Sequence, residues 1–141
     1  SAARYMAGSV AEVCCDVRGL PIHVAVVEAM GRSAGWVAAA SALATECGTG
    51  GPDLIYMPER VFSQTQFLKD VQRLIAQKGC GVVVASEGLC DERGEPIVKP
   101  VMAVGRATYF GDVSAYCRET GIQGPQRKAG YSGTSIYCVA K

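Results

Sequence analysis

The chain has 141 residues, 49% of them apolar and 19% charged, with a net charge of +1. That length supports one domain with a real core, and the composition excludes disordered and fibrous classes. The near-neutral balance gives no electrostatic reason to expect nucleic acid or an anionic membrane as a partner, and no uncharged run is long enough to span a bilayer.

In chain order, residues 2–17 carry Tyr5, Met6, Val10, Val13 and Val17 at helical spacing. Gly19 and Pro21 stop that helix. Ile22 to Glu28 is β-rich and apolar nearly throughout after His23, the pattern of a strand covered on both faces of a parallel sheet. Arg32 to Glu46 reads as a second helix, very rich in alanine, with Trp36, Val37 and Leu43 as its bulk. A Gly-rich loop, residues 47–52, then feeds a short strand from Asp53 to Met57, ended by Pro58.

The strongest local signal follows. Ser63 with Gln66 three residues on has capping-box spacing. Phe67, Leu68, Val71, Leu74 and Ile75 then share one helical face, and Gly79 suits its C-terminus. Gly81 to Ser86 reads as another buried strand. Alternation of helix and strand predicts an α/β fold: a three-layer α/β/α sandwich with a mainly parallel sheet. Beyond Glu87, residues 91–96 form a polar turn and residues 97–108 have no clear period. Residues 112–119 read as a short helix, residues 121–133 as turn-rich chain, and residues 135–139 as a final strand. No repeat or linker divides the chain, so one domain over residues 1–141 is expected. It starts at Ser1, inside a helix and without Met, which predicts a fragment of a longer subunit.

Seven cysteines, at 14, 15, 47, 80, 90, 117 and 138, include no C-x-x-C, and there is one histidine. Disulfide staples and a zinc site are therefore not expected. Reduced, mostly buried cysteines in a cytoplasmic protein are.

Chemistry in a parallel α/β sheet collects at the carboxyl ends of the strands. Met30-Gly31-Arg32 lies at such a strand-to-helix junction. Glycine there allows close backbone approach. A guanidinium beside unpaired helix N–H groups favours an anion such as a phosphate ester. An ordinary turn with a solvated arginine accounts for the same residues. Glu87 ends its strand on the same edge and suits sugar hydroxyls, or equally a turn. Glu59-Arg60 is a third strand-end pair, while His23 lies at the opposite end of its strand. Arg127-Lys128 in the late loop is within reach of a phosphate or is a solvated pair. No G-x-x-x-x-G-K-[ST] or G-x-G-x-x-G loop occurs.

Residues 27–36, Val-Glu-Ala-Met-Gly-Arg-Ser-Ala-Gly-Trp, resemble the Val-Glu-Val-Met-Gly-Arg-x-x-Gly signature of phosphofructokinases. Residues 53–59 (Asp-Leu-Ile-Tyr-Met-Pro-Glu) and 83–88 (Val-Val-Ala-Ser-Glu-Gly) resemble that family's next two strands, in order and at similar spacing. A fainter likeness runs from Tyr109 to Ser114 and on through Gly130. The resemblance implies a phosphofructokinase-like sugar-phosphate half of an α/β kinase. Such enzymes phosphorylate the 1-hydroxyl of fructose 6-phosphate in glycolysis, using ATP or pyrophosphate with magnesium.

Carried over, the resemblance puts Met30 and Gly31 against the sugar and makes Arg32 the catalytic charge stabiliser. It gives Glu87 the sugar hydroxyls, Arg127 the 6-phosphate of a neighbouring subunit's substrate, and Glu59 a position at an effector site. A homo-oligomer is implied. His23 stands where many ATP-dependent members have a subunit-crossing arginine. Tyr131 occupies the place of a phosphate-binding histidine, and Thr134 that of an arginine in the same cluster. The family's Gly-Gly-Asp-Gly-Ser donor loop and its Thr-Ile-Asp-Asn-Asp segment, with the base aspartate, lie upstream in members and do not occur here. The chain alone is therefore expected to bind no magnesium, ATP or pyrophosphate, and to be inactive without an N-terminal donor-binding part. The alternative is a non-catalytic sugar-phosphate-binding or regulatory module. Trp36, the Ser86-Glu87-Gly88 ending and Tyr131 lean towards pyrophosphate-type members.

Overall fold

The computed structural model describes residues 1–20, 24–98, 100–104, 107–110 and 136–140. The order is α1 (Ala2–Gly19), β1 (Val24–Ala29), α2 (Trp36–Ala40), a 3₁₀ helix (Ser41–Cys47), β2 (Leu54–Tyr56), α3 (Gln64–Lys78), β3 (Gly81–Ser86), β4 (Pro100–Val104), β5 (Ala107–Phe110) and β6 (Ile136–Ala140). Four strands form one sheet in the order β2-β3-β1-β6, and all three of its pairings are parallel. Strands β4 and β5 pair antiparallel as a separate hairpin, an element the sequence pattern did not signal.

The period-two geometry of strands divides the core into two halves. Ala25, Val27 and Ala29 of β1, with Val82 and Val84 of β3, pack against α1, α2 and the 3₁₀ helix. Val24, Val26, Val83 and Ala85 face the other way, against Phe67, Val71 and Leu74 of α3. The three-layer α/β/α arrangement follows directly from this alternation. Phe67, fully buried, also meets Tyr56 and Phe62 in an aromatic trio with centroids 5.5 to 5.7 Å apart.

Helix α3 forms as its local signals require. The Gln66 N–H donates to the Ser63 hydroxyl, and Gly79 closes the helix in the left-handed region at φ 77°. The alanine-rich helix differs from expectation. It begins at Trp36 rather than Arg32, and after Ala40 it tightens into the 3₁₀ helix. Two side-chain bonds accompany the tightening: the Ser41 hydroxyl donates to Ala38 O at 2.5 Å, and the Thr45 hydroxyl to Ala42 O at 2.7 Å. Both bonds reach back three residues, which is 3₁₀ spacing.

The cysteines also differ from the expected burial. Of the five that are described, all are free; Cys14 is buried, Cys80 and Cys90 are half-buried, and Cys15 and Cys47 are exposed. Among the described residues, no helix is long and apolar enough to cross a membrane.

Candidate functional site

Because β1, β2 and β3 are mutually aligned and parallel, their carboxyl ends open on one edge of the sheet. β1 delivers Met30-Gly31-Arg32, β3 delivers Glu87, and β2 delivers Glu59 through Met57-Pro58. The structure joins the first two directly. The Gly31 N–H donates to Glu87 Oε1 at 3.2 Å, and the Glu87 N–H donates to Ala29 O at 3.0 Å, continuing the β1–β3 ladder by one step.

Two glycines make this approach possible. Gly31 sits at φ +124°, and a Cβ there would strike the Ala34 carbonyl oxygen. Gly88 lies beneath the neighbouring turn, where a Cβ would strike the backbone of Arg32. Only residues without side chains fit both places.

Arg32 is exposed beside this contact, and Met30 is 67% exposed. Met30, Gly31, Trp36, Val37, Tyr5, Met6 and Ala2 line a mostly apolar cavity of about 330 Å³. An arginine-bearing turn, a carboxylate and an apolar wall therefore lie on one edge of the sheet.

Glu59 has a different place. Its Oε1 accepts a hydrogen bond from the Gly35 N–H at 2.6 Å. This lowers the Glu59 pKa below the usual carboxylate range, because the bond favours the charged form. Gly35 is the N-cap of α2, so Glu59 occupies the position that a capping-box glutamate takes from within a helix. One sequence expectation is thereby corrected. The helix start lies beyond Arg32 and already carries the protein's own carboxylate, so the case for anion binding rests on Arg32 rather than on the helix end.

Arg127, Tyr131 and Thr134 lie outside the described residues, as does His23. Sequence reasoning named Ser86 only within the Ser86-Glu87-Gly88 ending and gave it no part in the site. It is fully buried, and its hydroxyl donates to Gly31 O at 2.7 Å while accepting from the Gly88 N–H at 3.2 Å. At the opposite, amino-terminal edge of the sheet, Cys14, Arg18, Gly50, Asp53, Lys78 and Gly81 help to line a second cavity of about 390 Å³. There Lys78 pairs with Asp53, which also accepts from the Val82 N–H at 2.9 Å. Among the described residues, no three or more His, Cys, Asp or Glu side chains are grouped to hold a metal ion.

Comparison with known proteins gives the family. A family model described as "Phosphofructokinase" matches residues 1–125. The chain is 45% identical over 98 residues to a pyrophosphate–fructose 6-phosphate 1-phosphotransferase from Xanthomonas campestris pv. campestris, a match over 67% of this chain and 23% of that protein. It is 43% identical over 99 residues to the protein of that name from Rhodospirillum rubrum, covering 70% of this chain and 24% of the relative. A pyrophosphate-dependent phosphofructokinase structure from Marinobacter aquaeolei superposes with a TM-score of 0.72 at 26% identity, over 99% of this chain and 30% of that one. The chain thus spans about a quarter of the length of these two curated relatives. The chain belongs to the phosphofructokinase family.

Proposed function

We propose that this chain is the fructose 6-phosphate side of a phosphotransferase that moves a phosphoryl group to the sugar's 1-hydroxyl, with pyrophosphate or ATP as donor. The family match supports the reaction class, and the names of the two relatives favour pyrophosphate. The observation that carries the reading is the contact of the Arg32 turn with Glu87 through the Gly31 N–H. It brings an arginine-bearing turn and a carboxylate to one edge, as acceptor-sugar recognition requires.

In that role Arg32 faces the phosphoryl group and offsets the charge that spreads over its oxygens during transfer. Positioning and electrostatic stabilisation of this kind are most of what phosphoryl transfer asks of a protein. Glu87 accepts hydrogen bonds from sugar hydroxyls, Met30 and Gly31 pack against the sugar, Arg127 reaches the 6-phosphate of a neighbouring subunit's substrate, and Tyr131 takes the place of a phosphate-binding histidine. Glu59 holds the turn and keeps its assignment beside an effector site as a further proposal. Magnesium supplies charge neutralisation on the donor when bound. The base aspartate and the donor loop come from elsewhere in the subunit.

The chain alone then binds the acceptor without turning it over. The protein is cytoplasmic in this reading. It is homo-oligomeric in the same reading. Calorimetric titration of the 141-residue protein with fructose 6-phosphate tests the reading. Binding by the wild type that weakens at least about tenfold in Arg32→Ala is expected, the scale of one lost charge-assisted pair. Absence of heat with the wild type would overturn the sugar-phosphate assignment, and turnover would overturn the expected inactivity.

A further inference from the structure

We infer that Ser86 is a positioning residue for the acceptor site. It acts by holding the Gly31 peptide in register with Glu87.

The argument begins with the two polar groups of Gly31. Its N–H donates to Glu87 Oε1 at 3.2 Å, and its C=O accepts from the Ser86 hydroxyl at 2.7 Å. Consecutive side chains from the end of β3 thus take the donor and the acceptor of one residue in the β1 turn. The Ser86 hydroxyl also accepts from the Gly88 N–H at 3.2 Å, so one oxygen bridges the turn after β1 and the turn after β3. Ser86 is 0% exposed. Burying a hydroxyl is costly unless its bonds are made, and here both its donor and an acceptor lone pair are used.

Burial sets the consequence for the site. Ser86 cannot touch a bound sugar, so it acts only through Gly31, Glu87 and Gly88. Gly31 lies at φ +124°, outside the conformations that side-chain-bearing residues favour, so the turn depends on its tethers to hold one geometry. The Glu87 carboxylate is held by one of these tethers, and Ser86 holds the other side of the same residue. Removing the hydroxyl leaves the Gly31 C=O and the Gly88 N–H without their partner. The loosened turn then costs Glu87 its bond to the Gly31 N–H.

The ligand-binding part of this inference rests on the sugar-phosphate reading above; the positioning part does not. Amide hydrogen exchange of the wild type, Ser86→Ala and Ser86→Thr, followed by NMR, tests it without ligand. In Ser86→Ala, the Gly31 N–H should exchange about tenfold faster, although Ser86 makes no bond to it; one net hydrogen bond is of that size. Amides in the middle of β1 and β3 should keep wild-type protection. Ser86→Thr retains the hydroxyl and should restore slow exchange at Gly31. Calorimetry with fructose 6-phosphate then gives the second readout, with affinity lowered about five- to tenfold in Ser86→Ala and recovered in Ser86→Thr. Unchanged Gly31 exchange in Ser86→Ala would overturn the inference. So would equal loss in the alanine and threonine variants. If the wild type binds no fructose 6-phosphate, the sugar reading fails, while the Gly31 exchange still decides the role of Ser86.

Discussion

The Glu59 carboxylate holds the Gly35 N–H at 2.6 Å across two chain segments, tying the exit of β2 to the start of α2. The turn that carries Arg32 is therefore fixed at both ends, by Glu87 and Ser86 at Gly31 and by Glu59 at Gly35. The bond favours the ionised carboxyl, so the folded pKa of Glu59 lies below its unfolded value. Stabilisation from this contact is present above the ordinary glutamate pKa and lost as pH falls through the folded value. A side-chain NMR titration should place Glu59 below the ordinary glutamate value. Melting temperatures of wild type and Glu59→Gln should differ near neutrality and converge in acid. A Glu59 that titrates at or above the ordinary value would contradict the contact.

Gly88→Ala should lower stability by about 1–3 kcal/mol, the usual cost of forcing an extra methyl into filled space. The clash would be with the backbone of Arg32, which cannot rotate away as a side chain can. Gly8, inside α1, has open space around a notional Cβ. Gly8→Ala should instead stabilise by about 0.5–1 kcal/mol, as the helix loses a glycine. Urea denaturation midpoints that move in the same direction for both would refute the comparison.

Lys78 and Asp53 form an ion pair at the amino-terminal edge. The hydrogen bond and charge of Asp53 raise the Lys78 pKa. The contribution of the pair is thus complete below the unfolded lysine pKa and fades as pH rises through the folded one. Lys78 is 62% exposed at its side chain and Asp53 only 14%. Lys78→Met should therefore cost under about 1 kcal/mol. Asp53→Ala should cost more, because it also strips the Val82 N–H of its acceptor. Equal denaturation midpoints for the two variants would count against this division.

Alkylation should separate the described cysteines by burial. Cys15 and Cys47 are exposed, whereas Cys14 is buried and its thiol pKa is raised, chiefly by desolvation. Since the thiolate is the reactive form, Cys14 should react last under native conditions. Mass spectrometry of peptides after timed iodoacetamide treatment measures the order; early labelling of Cys14 would show that α1 opens readily.

How much of this was legible in the sequence depends on the distance over which each signal acts. Helix α3 was readable because Ser63, Gln66, Phe67, Val71 and Gly79 all act within it. The two-sided burial of β1 and β3 was readable from their unbroken apolar runs. The 3₁₀ segment was not, because its alanine-rich composition is equally that of an α-helix and does not reveal side-chain bonds such as those of Ser41 and Thr45. At the site, Arg32 and Glu87 were visible as strand-end residues. Their connection through Gly31 and Ser86 was not, since parallel pairing joins positions more than fifty residues apart. Glu59 was visible as a strand-end charge, but its partner Gly35 is set by the neighbouring loop. Arg127 and Tyr131 lie outside the described residues.

The strand order carries a consequence for assembly of the fold. β1 is the inner strand between β3 and β6, and Val24 aligns with both Gly81 and Ile136. During synthesis β1 emerges before both of its neighbours, and the second of them comes from far downstream. Loop-closure entropy makes such distant parallel pairing slow. Docking of β3 is enough to set Gly31 against Ser86 and Glu87, so the acceptor corner takes shape while one side of β1 still awaits a partner. Until β6 arrives, that side is an open row of backbone donors and acceptors, the part of a nascent chain most exposed to mispairing.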